Sequence, residues 1–112
     1  MIRRLAALSL LLLATAAEAQ QVSQAERQRL AAMSSRLGQC HHGIVLRDAR
    51  TRLTAAQIAD RAIAACTARE APIRAELVRQ IGPQRTAAVM QSQRAHWRQA
   101  IAQMVMQARA GH

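Results

Sequence analysis

Residues 54–80 read TAAQIADRAIAACTAREAPIRAELVRQ and form the longest amphipathic pattern of the 112-residue chain. Apolar residues recur there at steps of four and seven, which places them on one face of an α-helix. The predicted buried stripe comprises Ile58, Ala62, Cys66, Ile73, Leu77 and Ile81. Proline has no amide hydrogen and disturbs the preceding turn, so Pro72 predicts a kink near residue 72. The stretch therefore predicts one kinked helix over about 55–81, ended by Gly82-Pro83.

The start of this helix has the clearest local signal. Thr54 and Gln57 have the spacing of a capping box, in which each side chain bonds the backbone amide of the other residue. Leu53 and Ile58 occupy the two positions that form a hydrophobic staple around such a start. Residues 48–52, DARTR, lose the apolar period and predict the connection that precedes the helix.

A second helix is predicted upstream, over about 24–48. Ser23 and Glu26 have capping-box spacing at its start. The apolar stripe that follows comprises Leu30, Met33, Leu37, Cys40 and Ile44. Glycine is unfavourable inside a helix by about 1 kcal/mol relative to alanine. Gly38 and Gly43 therefore leave two alternatives open, a continuous helix or a bend near Gly38.

A third helix is predicted downstream, over about 83–109. Its apolar face comprises Met90, Trp97, Ile101, Met104 and Ala108. Trp97 is the only aromatic residue of the Phe, Tyr and Trp type, and we expect it to be the largest anchor of the core. These elements predict an all-α fold, a small antiparallel helical hairpin or three-helix bundle formed by residues 20–112 as a single domain.

The chain has two cysteines, Cys40 and Cys66. Each lies on the apolar stripe of its predicted helix, and the two are equally far in sequence from Leu53 at the predicted turn. In an antiparallel hairpin they would face each other. We therefore expect a structural disulfide, which would stabilise the fold by roughly 3 to 4 kcal/mol. A redox-active pair is less consistent with this spacing, because such cysteines usually lie two residues apart at a helix N-terminus.

Residues 1–19 have the pattern of a signal peptide. Two arginines precede an apolar run over 5–17, and a small-x-small cleavage pattern follows at 17–19. We expect cleavage after Ala19, a mature chain that starts at Gln20, and a periplasmic location. A transmembrane anchor is the alternative, but the apolar run contains a serine and a threonine and is shorter than the roughly 18 residues of a spanning helix. We therefore expect no anchor in the mature chain and an oxidising compartment that favours the disulfide.

The sequence predicts no catalytic, cofactor-binding or metal-binding residues. The run Cys40-His41-His42 contains metal-ligand residue types, but adjacent helical residues point about 100° apart and do not converge on one ion. There is no glycine-rich phosphate loop and no nucleophile elbow. The most buried carboxylate is expected to be Glu70, in a salt bridge with Arg74 one helical turn later. We therefore do not expect an enzyme.

Positive charge is the strongest remaining feature. Removing the two arginines and one glutamate of the signal peptide from 16 basic and 6 acidic residues leaves 14 and 5, a net charge of +9. Only Arg47, Arg50 and Arg52 form a compact group. The simpler explanation is that arginines solvate the polar faces of the helices, and the alternative is contact with an anionic partner. An exported protein would meet acidic proteins or anionic lipid head groups rather than nucleic acid.

Two features of the chain resemble known groups of proteins. The cysteine in the first helix, the IADRAIAAC segment in the second and the Arg-Gln-rich third helix resemble small exported, two-cysteine, all-helical proteins of Gram-negative bacteria, which implies a fold. Leu53, Thr54 and Gln57 resemble the LTxxQ motif of Spy/CpxP-type periplasmic proteins, which implies an all-helical chaperone or envelope-stress protein that holds unfolded clients on a concave cationic surface. We thus expect a periplasmic protein that acts by binding. The alternatives are a Spy/CpxP-like chaperone and a cationic binder of anionic envelope lipids.

Overall fold

The computed structural model describes the backbone of residues 2–111 and the side chains of residues 24–111. It divides into two compact units, Met1–Ala32 and Met33–His112. The side chains of the predicted signal peptide and of Ser23 lie outside the described residues. The first unit is helical, and all packing described below belongs to the second unit.

The described backbone is all-helical and contains no β-strand, as the sequence predicted. Helix α1 spans Ile2–Asp48, α2 spans Ala55–Ala65, α3 spans Thr67–Ile81 and α4 spans Pro83–Ala110. The predicted helix start near residue 24 differs from this result, because α1 runs through that position without a break.

Helix α2 begins where the sequence predicts. The Thr54 hydroxyl accepts a hydrogen bond from the Gln57 amide at 3.1 Å, and the Gln57 side-chain oxygen accepts one from the Thr54 amide at 2.9 Å. These two bonds satisfy amide donors that a helix start leaves without a partner. Leu53 packs against the core cluster that contains Ile58, in agreement with the predicted staple.

The single helix predicted over 55–81 is two helices, because the helical segment is interrupted at Cys66, which separates α2 from α3. Pro72 lies inside α3. The Thr67 hydroxyl donates to the carbonyl oxygens of Ala64 at 2.8 Å and of Ile63 at 3.3 Å. Because this side chain satisfies carbonyls at the end of α2, the helix can end there at low cost.

Two glycines lie inside helix α1, whereas a third glycine ends helix α3. Helix α1 is continuous through Gly38 and Gly43, which are exposed, and an added Cβ atom at either position meets no other atom within 4 Å. Gly82 ends α3 with a φ of 84°, a conformation that favours glycine. Pro83 then starts α4, as the sequence predicted.

Helix α4 packs against both α2 and α3, and α1 contributes Val45 to the same core. The buried cluster comprises Val45, Ile58, Ala59, Ala62, Ile101 and Val105. Trp97 is only half-buried and packs at the edge of this cluster, so it is not the main anchor that the sequence predicted. On α3, Ile73 is buried as predicted, whereas Leu77 is only half-buried and its neighbour Glu76 is buried.

The predicted disulfide is present. Cys40 in α1 is bonded to Cys66 at the break between α2 and α3, with 6.0 Å between the Cα atoms. Cys66 is buried and Cys40 is half-buried. The bond therefore attaches α1 to the point at which the α2–α3 segment is interrupted.

Candidate functional site

The connection between α1 and α2 is held in place by a residue near the end of α4. The Arg109 guanidinium donates hydrogen bonds to the backbone carbonyl oxygens of Ala49 at 3.0 Å, Thr51 at 3.1 Å and Leu53 at 2.6 Å. A guanidinium has five N–H donors in a rigid plane and can bond several carbonyls at once. The backbone of the turn is thus bonded to α4 at three points, and a positive charge lies against it.

Asp48 at the end of α1 is the buried acidic residue of this region. Its two carboxylate oxygens accept hydrogen bonds from Arg47 at 3.2 Å and from Arg61 at 3.0 Å. Burial alone would raise the pKa of the Asp48 carboxyl, but the hydrogen bonds and charges of Arg47 and Arg61 outweigh it and lower that pKa below 3.8. The carboxylate is therefore charged and already paired.

The three arginines that the sequence grouped here are all exposed. Arg47 bonds Asp48 while about 64% of its side chain remains exposed, and neither Arg50 nor Arg52 forms a salt bridge with a described residue. Asp48 bonds two arginines, Arg47 and Arg61, and Arg109 bonds the backbone of the turn. With Arg50 and Arg52, which belong to the connection itself, the turn carries five guanidinium groups, and Asp48 is the only described carboxylate bonded to any of them.

An apolar groove adjoins these arginines. Leu46, Ala49, Arg50, Ala108 and Arg109 line a volume of about 530 Å³. Leu46 is 56% exposed although it is a large hydrophobic residue. We call Leu46, Arg47, Arg50, Arg52 and Arg109 the turn surface.

A larger groove of about 880 Å³ follows the line where α2 and α3 meet α4. Its apolar lining includes Ile63, Ala64, Ala87, Met90 and Ala95, and we call it the hairpin groove. Two salt bridges join its sides, Arg98 with Asp60 at 2.9 Å and Arg94 with Glu70 at 3.1 Å. These pairs neutralise most of the charge on the hairpin groove, in contrast to the turn surface.

The predicted Glu70–Arg74 salt bridge is wrong. Glu70 is 1% exposed and faces α4, where its Oε1 accepts a hydrogen bond from Arg94. Arg74 is exposed and lies on the rim of the hairpin groove. An exposed side chain on the same helix reaches the buried carboxylate less readily than one from the helix that covers it. The second carboxylate oxygen of Glu70 has no hydrogen-bond partner among the described residues.

The Cys40-His41-His42 run is divided by the fold. Cys40 is consumed by the disulfide, His42 is exposed, and His41 is buried with its ring 5.9 Å from that of Trp97. Burial lowers the pKa of His41 below 6.5, and the negative charge of Glu70 opposes only part of this effect. Among the described residues, no group of three or more His, Cys, Asp or Glu side chains could hold a metal ion.

The residues of the LTxxQ-like motif make contacts with neighbouring residues of the fold. Thr54 and Gln57 bond each other's amides, and Leu53 packs on the core. The Leu53 carbonyl accepts the bond from Arg109. The motif therefore forms the start of α2 and the end of the turn.

The sequence did not predict the roles of Arg109 and Arg61, because each bonds a residue far away along the chain. The only signal in the sequence was the single acidic residue, Asp48, within the arginine-rich connection.

Comparison of the chain with protein-family models, with curated proteins and with solved structures gave no match in any of the three. None of the described helices is both long and apolar enough to span a membrane.

Proposed function

We propose that this chain is an exported periplasmic protein that acts by binding a negatively charged partner through the turn surface, rather than by catalysis. Cleavage after Ala19 would leave residues 20–112 as a helical hairpin or three-helix domain that the disulfide stabilises. The Cys40–Cys66 bond is compatible with an oxidising compartment. The export step is tested by intact-mass measurement of periplasmic protein, which should give a chain that starts at Gln20. Full-length chain in the inner membrane would contradict it.

The observation that carries the proposal is the charge imbalance at the turn. Among the described residues, Asp48 is the only carboxylate bonded to any of the five guanidinium groups there, and both of its oxygens are already used. Exposed charges of one sign attract a partner of the opposite sign over about 8 Å at physiological ionic strength. Arg109 fixes the turn, so the arginines are presented on a rigid support that loses little entropy on binding.

The test compares two pairs of charge-neutralising substitutions. Arg50→Gln with Arg52→Gln removes charge from the turn surface, whereas Arg69→Gln with Arg85→Gln removes the same charge from exposed arginines elsewhere that also lack a salt bridge in the described structure. Affinity for soluble polyglutamate is measured at low and physiological salt. We expect the turn pair to weaken binding about tenfold more than the control pair. Equal losses would contradict a localised surface.

A Spy/CpxP-like chaperone is the second candidate, and the hairpin groove favours it. The groove combines apolar residues with arginines on its rim, which suits an unfolded client with mixed character. Ala64→Gln with Ala95→Gln would narrow the groove at exposed helical positions, and Ala68→Gln with Ala88→Gln is a matched control outside it. If the groove holds clients, only the first pair should reduce suppression of client aggregation. Equal activity of both pairs would remove this candidate.

A further inference from the structure

We propose that the partner of the turn surface is a bilayer rich in anionic phospholipids, and that Leu46 enters the boundary between head groups and acyl chains. This inference rests on the proposed function and identifies the partner for the same surface. It is carried by the combination of exposed arginines with an exposed large apolar side chain at one turn.

The apolar part of the argument concerns which large hydrophobic residues remain exposed. Among the described residues these are Leu46 at 56%, Met106 at 62% and Val78 at 38%. Leu46 belongs to the turn surface, and Met106 precedes Arg109 by three residues, about 4.5 Å along the axis of α4. The two most exposed large hydrophobic residues therefore lie close to the level of the turn, where Arg109 bonds the backbone.

The charged part of the argument concerns what surrounds Leu46. Arg47 follows it in sequence, and Arg50 lines the same apolar groove. Guanidinium groups bind phosphate oxygens through paired hydrogen bonds, while their aliphatic stems lie along apolar surface. An exposed apolar side chain beside arginines matches the membrane interface, where phosphates lie above the acyl chains.

A bilayer fits this surface better than a folded acidic protein. A stable protein interface needs roughly 1,000 Å² or more with close shape complementarity. The apolar groove beside the turn has only three apolar lining residues, Leu46, Ala49 and Ala108. A fluid interface accommodates such a small apolar group without a matched partner shape, and acidic lipids add attraction for each arginine near the surface.

The experiment measures sedimentation of the protein purified from the periplasm, which should start at Gln20, with vesicles of phosphatidylcholine alone and with vesicles that contain phosphatidylglycerol. Leu46→Gln removes the apolar group without changing the charge. Val78→Gln is the control, because it changes an exposed apolar residue near the C-terminal end of α3. We expect binding to the anionic vesicles only, weakened roughly five- to tenfold by Leu46→Gln and unchanged by Val78→Gln. Circular dichroism confirms that each variant folds, and Leu46→Ala replaces Leu46→Gln if it does not.

A parallel titration with polyglutamate separates this inference from the function on which it rests. Leu46→Gln should leave polyglutamate binding unchanged, because that binding needs only the arginines. If polyglutamate binds and anionic vesicles do not, the lipid inference fails while the proposed function stands. If Leu46→Gln and the original chain bind vesicles equally, insertion of Leu46 is wrong. Failure of both ligands to bind would overturn both proposals.

Discussion

The guanidinium of Arg109 donates a hydrogen bond to the backbone carbonyl of Leu53 across 2.6 Å, and so joins the end of α4 to the residue that precedes the Thr54 cap of α2. The same side chain bonds two further carbonyls of the turn. One arginine therefore holds the segment that carries the other arginines of the turn surface.

Arg109→Met should destabilise the protein, because three backbone carbonyls lose their donor while the methionine keeps most of the apolar stem. We expect a loss of about 2 kcal/mol in the free energy of unfolding, measured by urea denaturation. Arg85→Met changes an exposed arginine of α4 that has no salt bridge in the described structure, and should stay within about 0.5 kcal/mol of the original protein. Equal stability of the two variants would show that the bonds from Arg109 contribute nothing.

Loss of the Cys40–Cys66 bond should lower the free energy of unfolding by roughly 3 to 4 kcal/mol, because the unfolded chain regains the freedom of the closed loop. Cys40→Ser with Cys66→Ser tests this by urea denaturation. The double variant should be insensitive to a reducing agent, whereas the original protein should lose a similar amount of stability on reduction. A bonded peptide containing both cysteines should appear in a non-reducing digest, and free thiols in oxidised material would contradict the bond.

Arg94→Met should be more damaging than Arg74→Met, because only Arg94 contacts the buried Glu70. Removing one partner leaves a buried carboxylate without its compensating charge, so we expect a loss of about 2 kcal/mol. Arg74→Met should remain within about 0.5 kcal/mol of the original protein. The reverse order would support the salt bridge that the helical spacing suggested.

Stability should fall as the pH falls below about 6.5, because burial lowers the pKa of His41 in the folded state. Below about pH 6.5 the unfolded chain binds a proton at His41 that the folded chain does not bind. The loss of stability levels off once the pH falls below the pKa of the folded state. His41→Gln should remove this dependence, and His42→Gln, at an exposed position, should keep it. Asp48 affects stability in a lower pH range. Its pKa is lowered in the folded state, so its contribution to stability is lost only below about pH 3.8. A flat profile for the original protein between pH 7 and 5 would contradict the assignment to His41.

Local rules predicted the parts of the fold that depend on neighbouring residues. The start of α2 follows from Thr54 and Gln57, and the end of α3 follows from Gly82-Pro83. The disulfide was predictable because symmetric spacing about a turn brings two stripe positions together.

The remaining features depend on tertiary contacts. In the sequence, Pro72 is the clearest sign of an interruption in its helix. The interruption at Cys66 depends on the bond from the Thr67 hydroxyl to the Ala64 carbonyl, which the sequence indicates only weakly. Glu70 pairs with Arg94, which is 24 residues away, because burial against α4 decides which cation can reach it. The grouping of Arg47, Arg50 and Arg52 was visible in the sequence, but the support from Arg109 and the exposure of Leu46 were not.

The most direct measurement of where the partner binds is hydrogen–deuterium exchange of the backbone amides, with and without anionic vesicles and, separately, polyglutamate. If the turn surface is the binding site, amides of residues 46–53 should exchange more slowly with the ligand present. The amides that line the hairpin groove, within residues 87–98, should be unchanged. Protection confined to residues 87–98, or no protection in a chain that demonstrably binds, would contradict binding through the turn surface.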